Sequence, residues 1–352
     1  MGEDEATATT DAEGVTSPGQ GARRNVPSVT DIGSHAAPTL PPSVRTAIRS
    51  LSVDQAIAET VPLLGAAGVR CILLKGPSHA RWLYDRPDER TYTDCDLLVA
   101  PDDADRAEAV LGDAGFVRRG FEAIPTERQR FGFPLYRTDN VSVDLHTTFI
   151  GVGAPPERLW ACFSDRIEPM IVAGASVMVL EPTARALVLV LHAAKEGGRR
   201  EGRGEKPIRD LELAVERIPF DDWRRSSELA VEVDAVEAFS AGLRRISSGR
   251  ELADHLGLTD RLSPEVALRL EQPPPLAVGM DWLLYSEQGT RGLRLALRKV
   301  FPPPAHMRAW SPLARRGRWG LALAYIGRPI WVAWKFIPAI FAVRRARRAA
   351  GR

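Results

Sequence analysis

Two short stretches carry residues whose types and spacing could do chemistry. In CILLKGPS, residues 71–78, an apolar run ends in Lys75-Gly76. About twenty residues later, in TDCDLLV, residues 93–99, Asp94 and Asp96 stand at the mouth of a second apolar run. Side chains two apart on a strand share a face, so these two acids project together. Adjacent carboxylates repel and raise each other's pKa unless a cation sits between them. Mg²⁺ takes oxygen ligands and keeps positions open for substrate phosphates, which makes it the usual solution.

A third acid, Asp144, lies in VSVDLHTTF. If its strand runs beside 94–99, three carboxylates complete a site for two ions. One ion would then hold a triphosphate and stabilise departing pyrophosphate. The other would lower the pKa of an attacking oxygen, with Asp144 as ligand or base for that nucleophile. Lys75-Gly76-Pro77-Ser78 supplies an anion site, because a glycine between strand and helix lets backbone approach phosphate and helix N–H groups can bind it. Lys75 adds charge and Ser78 a donor. The plain alternatives stay open: acids as strand-end turn residues, Asp144 on a solvated face, and Lys75 reaching water from a sharp turn.

Positioning these groups requires a particular run of elements. Apolar residues Val53, Ile57, Val61 and Leu64 predict a helix over 51–67, ended by Gly68. VRCILL at 69–74 reads as a buried strand, and Pro77 opens a helix where its missing N–H is harmless. Asp94–Val99 is a second strand. DDADRAEAVLGDAGF, entered at Pro101, is a helix stopped by Gly115. FGFPLYRT and VSVDLHTTF, joined at Asp139-Asn140, form a hairpin. ASVMVL at 175–180 is one more strand or an apolar linker. From Pro182 the pattern is mainly helical, with TARALVLVLHAAK, then IRDLELAVERI, interrupted near 271–276 by EQPPPL.

The domain plan is a disordered segment at 1–45, an α/β unit at 48–180, a helical unit at 181–290 and a tail at 291–352. The tail holds 15 Lys or Arg and no acid, whereas the rest carries 32 bases against 45 acids, a net of −13. A basic tail on an acidic body seeks an anionic surface. Residues 319–343 are long enough to cross a bilayer's ~30 Å core. Arg328 and Lys335 would each cost about 2.5–3.5 kcal/mol at its centre, and Pro329 and Pro338 are expected to break the segment. Two readings therefore stand level, with a true transmembrane span third. One is a peripheral membrane contact through 319–348, anchored by Trp331, Trp334 and Phe336. The other is a helical hairpin packed on the body. No zinc spacing, helix-turn-helix or RNP-like strand supports sequence-specific DNA binding. Cys71, Cys95 and Cys162 form no paired framework, and the first thirteen residues carry five acids instead of a basic-then-apolar leader, so the expected location is the cytoplasm, with peripheral contact on the inner membrane face.

Together, LLKGPSHARWLYDRPDERTYTDCDLLV, the helix DDADRAEAVLGDAGF and VDLHTTF resemble the uncharacterised bacterial nucleotidyltransferases of the polymerase-β-like superfamily. The specific likeness covers about 70–150. It implies an α+β core with a short mixed sheet followed by a mainly helical second domain. It also implies Mg²⁺-dependent transfer of NMP from an NTP such as ATP to an acceptor, which is a small molecule, a protein or RNA. In that resemblance Asp94, Asp96 and Asp144 hold metal, and Lys75 and Gly76 form the phosphate turn. Two departures stand out. The usual Gly-Ser turn appears as KGPS, and Cys95 replaces an aliphatic residue; it faces away from the acids and packs as a small hydrophobe.

His146, His192, Lys195, Arg209 and Asp210 are candidates for the surroundings of the site or its acceptor side. A hydrogen-bonded core histidine and a simple Asp210 ion pair are the bland alternatives. The basic loop at 196–206 could close over a triphosphate or remain a solvated loop. Two other functions stay in view: a non-catalytic protein of this fold that docks through its tail, and an Mg²⁺-dependent phosphotransferase, which lacks a kinase-type catalytic loop here.

Overall fold

The computed structural model describes residues 41–118, 132–196, 205–270, 297 and 300–349. Most of the expected disordered segment, the loop bases Arg199, Arg200 and Arg203, and the EQPPPL interruption lie outside the described residues.

Helix α1 (Pro42–Ala66) begins earlier than the periodicity predicts and continues through Pro62. Val53, Ile57 and Leu64 are fully buried on one face, as their spacing requires. Gly68, at φ +74°, turns the chain into the sheet. The strands are β1 (Cys71–Leu73), β2 (Cys95–Val99), β3 (Val117–Arg118), β4 (Phe133–Tyr136), β5 (Ser142–His146), β6 (Ile167–Val172) and β7 (Ala175–Leu180). They form one seven-stranded sheet in the order β3-β4-β5-β2-β1-β7-β6. Strand β2 pairs antiparallel with β1 and parallel with β5, so the sheet is mixed. The hairpin β4–β5 turns at Asn140, which adopts φ +66°, a conformation Asn tolerates better than most residues. ASVMVL is a true strand. Its antiparallel partner β6 escaped the sequence reading because IEPMIV contains a proline and a charge; it sits at the sheet edge, where both are accommodated.

Alternation on β2 divides the core. Cys95, Leu97 and Val99 pack with Val53, Ile57 and Leu111 against α1 and α3 (Ala104–Asp113). On the opposite face, Leu98 joins Ile72 and Leu74 against the helical half. Cys95 is therefore a buried hydrophobe, turned away from the acids. Each such fully buried aliphatic side chain contributes roughly 1.5–3 kcal/mol.

Between sheet and helical half come α2 (Pro77–Leu83), directly after Gly76, and α4 (Pro156–Ser164). The helical half follows as α5 (Pro182–Glu196), α6 (Glu205–Arg217), α7 (Phe220–Glu232), α8 (Val236–Leu243), α9 (Ser247–His255) and α10 (Pro264–Leu270). Helix α5 is central and packs on α6, α7 and α8. Gly242 permits this closeness, since a Cβ there would lie 2.3 Å from the Val190 carbonyl oxygen.

The tail forms α11 (Pro304–Trp310), a short 3-10 turn at Leu313–Arg315, and a single helix, α12 (Gly317–Ala349). The expected break at Pro329 and Pro338 does not occur. A proline removes one backbone donor and costs about 3 kcal/mol in a helix interior; packing of α12 against α10 and the 3-10 turn opposes that cost.

Candidate active site

The parallel pairing of β2 with β5 sets Asp96 opposite Asp144 and Leu98 opposite His146. Residues paired across a sheet lie about 5 Å apart, so this register alone brings two carboxylates together. One ligand atom from each of Asp96, Asp144 and His146 falls within 4.8 Å of the other two. His146 Nε2 is 3.0 Å from Asp96 Oδ1. Lys75 Nζ lies 2.8 Å from the same oxygen. The backbone N–H of Leu74 donates to the Asp96 carbonyl, tying the lysine's strand to that of the acid.

Electrostatics follow from this crowding. Burial pushes Asp96 up, but Lys75 and His146 outweigh it and hold the carboxyl far below the usual range. Asp144 is pushed up, first by burial and then by the charge of Asp96. Asp94, just before β2, is raised for the same two reasons. Burial favours neutral Lys75, yet Asp96 and Asp94 reverse the balance and raise its pKa, so the ammonium stays charged. The cluster therefore holds one neutralised carboxylate and two whose ionisation is opposed. A divalent cation would relieve that opposition; the two carboxylates suit Mg²⁺ or Mn²⁺, beside which His146, a poor Mg²⁺ ligand, stands as the hydrogen-bond partner of Asp96. Asp94 stands outside the closest group of ligands.

Gly76 takes φ +66° and ψ −120°, a conformation open to glycine and strained for other residues. Ser78, offered by the sequence as a phosphate donor, is fully buried, and its hydroxyl has no hydrogen-bond partner among the described residues. Gly132, at φ +137°, backs the site: a Cβ there would lie 2.6 Å from His146 Nδ1. Nothing in the sequence links Gly132 to His146, because their approach depends on hairpin register.

His192 on α5 reaches the neighbourhood; burial lowers its pKa well below the ordinary value, and the nearby charges of Lys75 and Lys195 add to the effect. Asp210 on α6 is not among the three clustered candidate ligands. It pairs with Arg90, whose Nε donates to Oδ1 at 2.8 Å and whose Nη2 donates to Oδ2 at 2.7 Å. Tyr84 Oη donates to Asp210 at 2.8 Å. Arg90 Nη1 in turn donates to the Gly76 carbonyl at 3.3 Å. Asp210 thus anchors an arginine that braces the Gly76 turn. Sequence reasoning named Asp210 and missed Arg90 and Tyr84, which come from a segment without periodicity.

His79 Nδ1 sits 3.8 Å from Asp210, beyond hydrogen-bond range, and burial pushes the imidazole down to about 4, so it is neutral at pH 7. Arg209 is exposed, pairs with Glu212 at 3.2 Å, and lines a cavity of about 440 Å³ with Tyr84, Glu89, Arg90, Lys206 and Arg217. Lys206 donates to the Thr91 carbonyl at 3.0 Å, which fastens the start of α6 to the approach of β2.

Residues 42–248 match the family model described as uncharacterised nucleotidyltransferase. The chain belongs to that nucleotidyltransferase family, and its mixed sheet with a helical second half is the architecture the resemblance implied. Among solved structures, it is similar to an antigenic nucleotidyltransferase-like protein from Paracoccidioides brasiliensis, at 15% identity over 56% of this chain and 94% of that one, with a TM-score of 0.32. So loose a superposition adds nothing about the site. No curated protein matches the chain.

Proposed function

We propose that the protein transfers a nucleotidyl group from an NTP to an acceptor with the help of Mg²⁺. The observation that carries this reading is the convergence of Asp96, Asp144 and His146 within 4.8 Å, beside Lys75. Asp96 and Asp144 would hold the metal with His146 as ligand or orienting partner, and Asp94 would complete a second ion's position. Magnesium bound there would supply charge neutralisation for the triphosphate and would acidify the acceptor hydroxyl.

The chain's own groups do the rest. Lys75, now paired with Asp96, turns its ammonium to the triphosphate once the carboxylate is otherwise engaged. The Gly76 turn, braced by Arg90, presents backbone to the phosphates without a side chain in the way. Where Asp144 is not itself bound to the ion, its carboxyl, held above the ordinary range by burial and Asp96, would take the acceptor's proton. Ser78 is given no contact, being sealed inside. Arg209 and Lys206, on the cavity beside the site, form the acceptor side.

The test uses α-labelled ATP, CTP, GTP and UTP with Mg²⁺ and a cell lysate as acceptor source, comparing wild type with Asp96→Asn and Asp144→Asn. Label moving to a macromolecule or metabolite, and lost in both variants, is the expected result. Metal-independent binding equal in all three proteins would refute the enzyme reading.

A further inference from the structure

Helix α12 distributes its side chains in an unusual sense. Gly320, Ala324, Arg328, Val332, Ala339 and Ala346 are buried, and nearly all are small. At 100° per residue they occupy one face. That face meets the protein: Ala339 and Ala346 pack on Ala267 and Leu268 of α10, and Ala324 packs on Met307 and Ala314. Contact is close, since a Cβ on Gly320 would lie 2.2 Å from the Leu313 carbonyl oxygen. The large apolar residues point the other way. Trp319, Ile326, Ile330, Trp334, Ile337 and Phe341 are 86%, 67%, 71%, 72%, 52% and 62% exposed. Their spacing confines them to an arc of about 80° and a length of about 33 Å. Uncovered apolar surface on this scale marks an interaction site.

Charge says what covers it. Arg315, Arg316 and Arg318 are exposed at one end of the stripe, and Arg344, Arg345 and Arg348 at the other. No acid occurs from 291 to 352. A second copy of the chain laid along this stripe in either direction would set arginines against arginines. An anionic lipid surface meets both ends favourably and takes tryptophan and isoleucine at its headgroup boundary. A transmembrane course is opposed by the inner face. Arg328 is 7% exposed there, with its guanidinium 4.7 Å from the ring centre of Trp310, which belongs to α11. Spanning would strip α12 from α10 and α11 and carry Arg328 into hydrocarbon.

We infer that α12 docks the protein in the plane of an anionic bilayer, its outer stripe in the headgroup region and its two arginine clusters on the lipid phosphates. The docking stands independently of the reaction proposed above.

The experiment is co-sedimentation of the full chain with vesicles of phosphatidylcholine, alone or in a two-to-one mixture with phosphatidylglycerol. Binding to the mixed vesicles, weaker by at least about tenfold on phosphatidylcholine alone, is expected. Arg344→Glu, Arg345→Glu and Arg348→Glu combined should weaken it about a hundredfold, following the contribution of each basic group at an anionic surface. Ile330→Ser with Trp334→Ser should abolish binding while circular dichroism and melting temperature hold, because both side chains are exposed. Tryptophan quenching should be stronger with bromine near the headgroup than at the acyl-chain end. Absence of binding to mixed vesicles, indifference to the stripe variant, or resistance of membrane-bound protein to alkaline carbonate would overturn the inference. So would a stripe-dependent dimer, or a stripe-dependent complex with another protein, formed without any vesicle binding.

Discussion

Asp210→Ala offers the sharpest test of how the helical half supports the Gly76 turn. The Arg90–Asp210 pair is almost wholly out of water, with side-chain exposures of 6% and 1%. Four hydrogen bonds from Arg90 and Tyr84 satisfy the carboxylate. Removing the acid leaves a buried guanidinium uncompensated, and breaking such a pair from one side costs about 3–5 kcal/mol. For a protein of this size the melting temperature should fall by about 6–15 °C. Exchanging both partners for apolar residues, as in Arg90→Met with Asp210→Leu, should cost far less, since neither buried charge is then stranded.

The pH dependence has a definite sign. Burial pushes Asp210 up, but the hydrogen bonds and charge of Arg90 hold it well below the ordinary carboxylate range. A depressed folded pKa contributes stability that is complete above the unfolded value of about 3.9 and is lost as pH falls below it. Wild type should therefore lose stability more steeply below about pH 4 than Asp210→Asn does. Urea titrations at neutral pH and through the acid range measure both effects. If Asp210→Ala loses less than about 1 kcal/mol, or the double exchange is as damaging as the single one, the pair is not the brace described here.

Asp144→Asn should stabilise the metal-free protein above about pH 6, because it removes a carboxylate whose ionisation burial and Asp96 oppose. The same change should erase any rise in melting temperature produced by Mg²⁺ or Mn²⁺, and the gain should vanish near pH 4, where the wild-type carboxyl is protonated. Differential scanning with and without metal reads both; a destabilised metal-free variant would count against the assigned crowding. Gly132→Ala should weaken Mn²⁺ binding by about tenfold or more by pushing His146 off its place against Asp96, which calorimetry would register. Unchanged affinity would show that His146 is not held by the backbone at 132.

Much of the α/β core was written in local sequence. The periodicity of Val53, Ile57 and Leu64, the Gly68 and Gly115 stops, the Asp139-Asn140 turn and the DxD spacing each depend on a few neighbouring residues, and each is found where the pattern puts it. Strand β6 was not legible, since an edge strand tolerates the proline and charge that disqualify a central one. The continuity of α12 was not legible either, because its prolines are outweighed by packing that the local chain does not reveal.

The site divides along the same line. That Asp94 and Asp96 share a strand end, and that Lys75-Gly76 closes another, follows from residue order alone. Which acids meet does not. The β2–β5 register pairs Asp96 with Asp144, adds His146 as a neighbour and leaves Asp94 at the margin. Arg90 joined Asp210 across 120 positions of chain, and Gly132 came against His146 through a hairpin. Likewise, the charge of the tail was plain in its composition, whereas only packing decided which face of α12 was spent on the protein and which was left to meet something else. Sequence determines what a short segment prefers, because those preferences are local torsions and periodicities. Tertiary structure decides which distant groups share a dielectric and a distance, and the chemistry of this site depends on both.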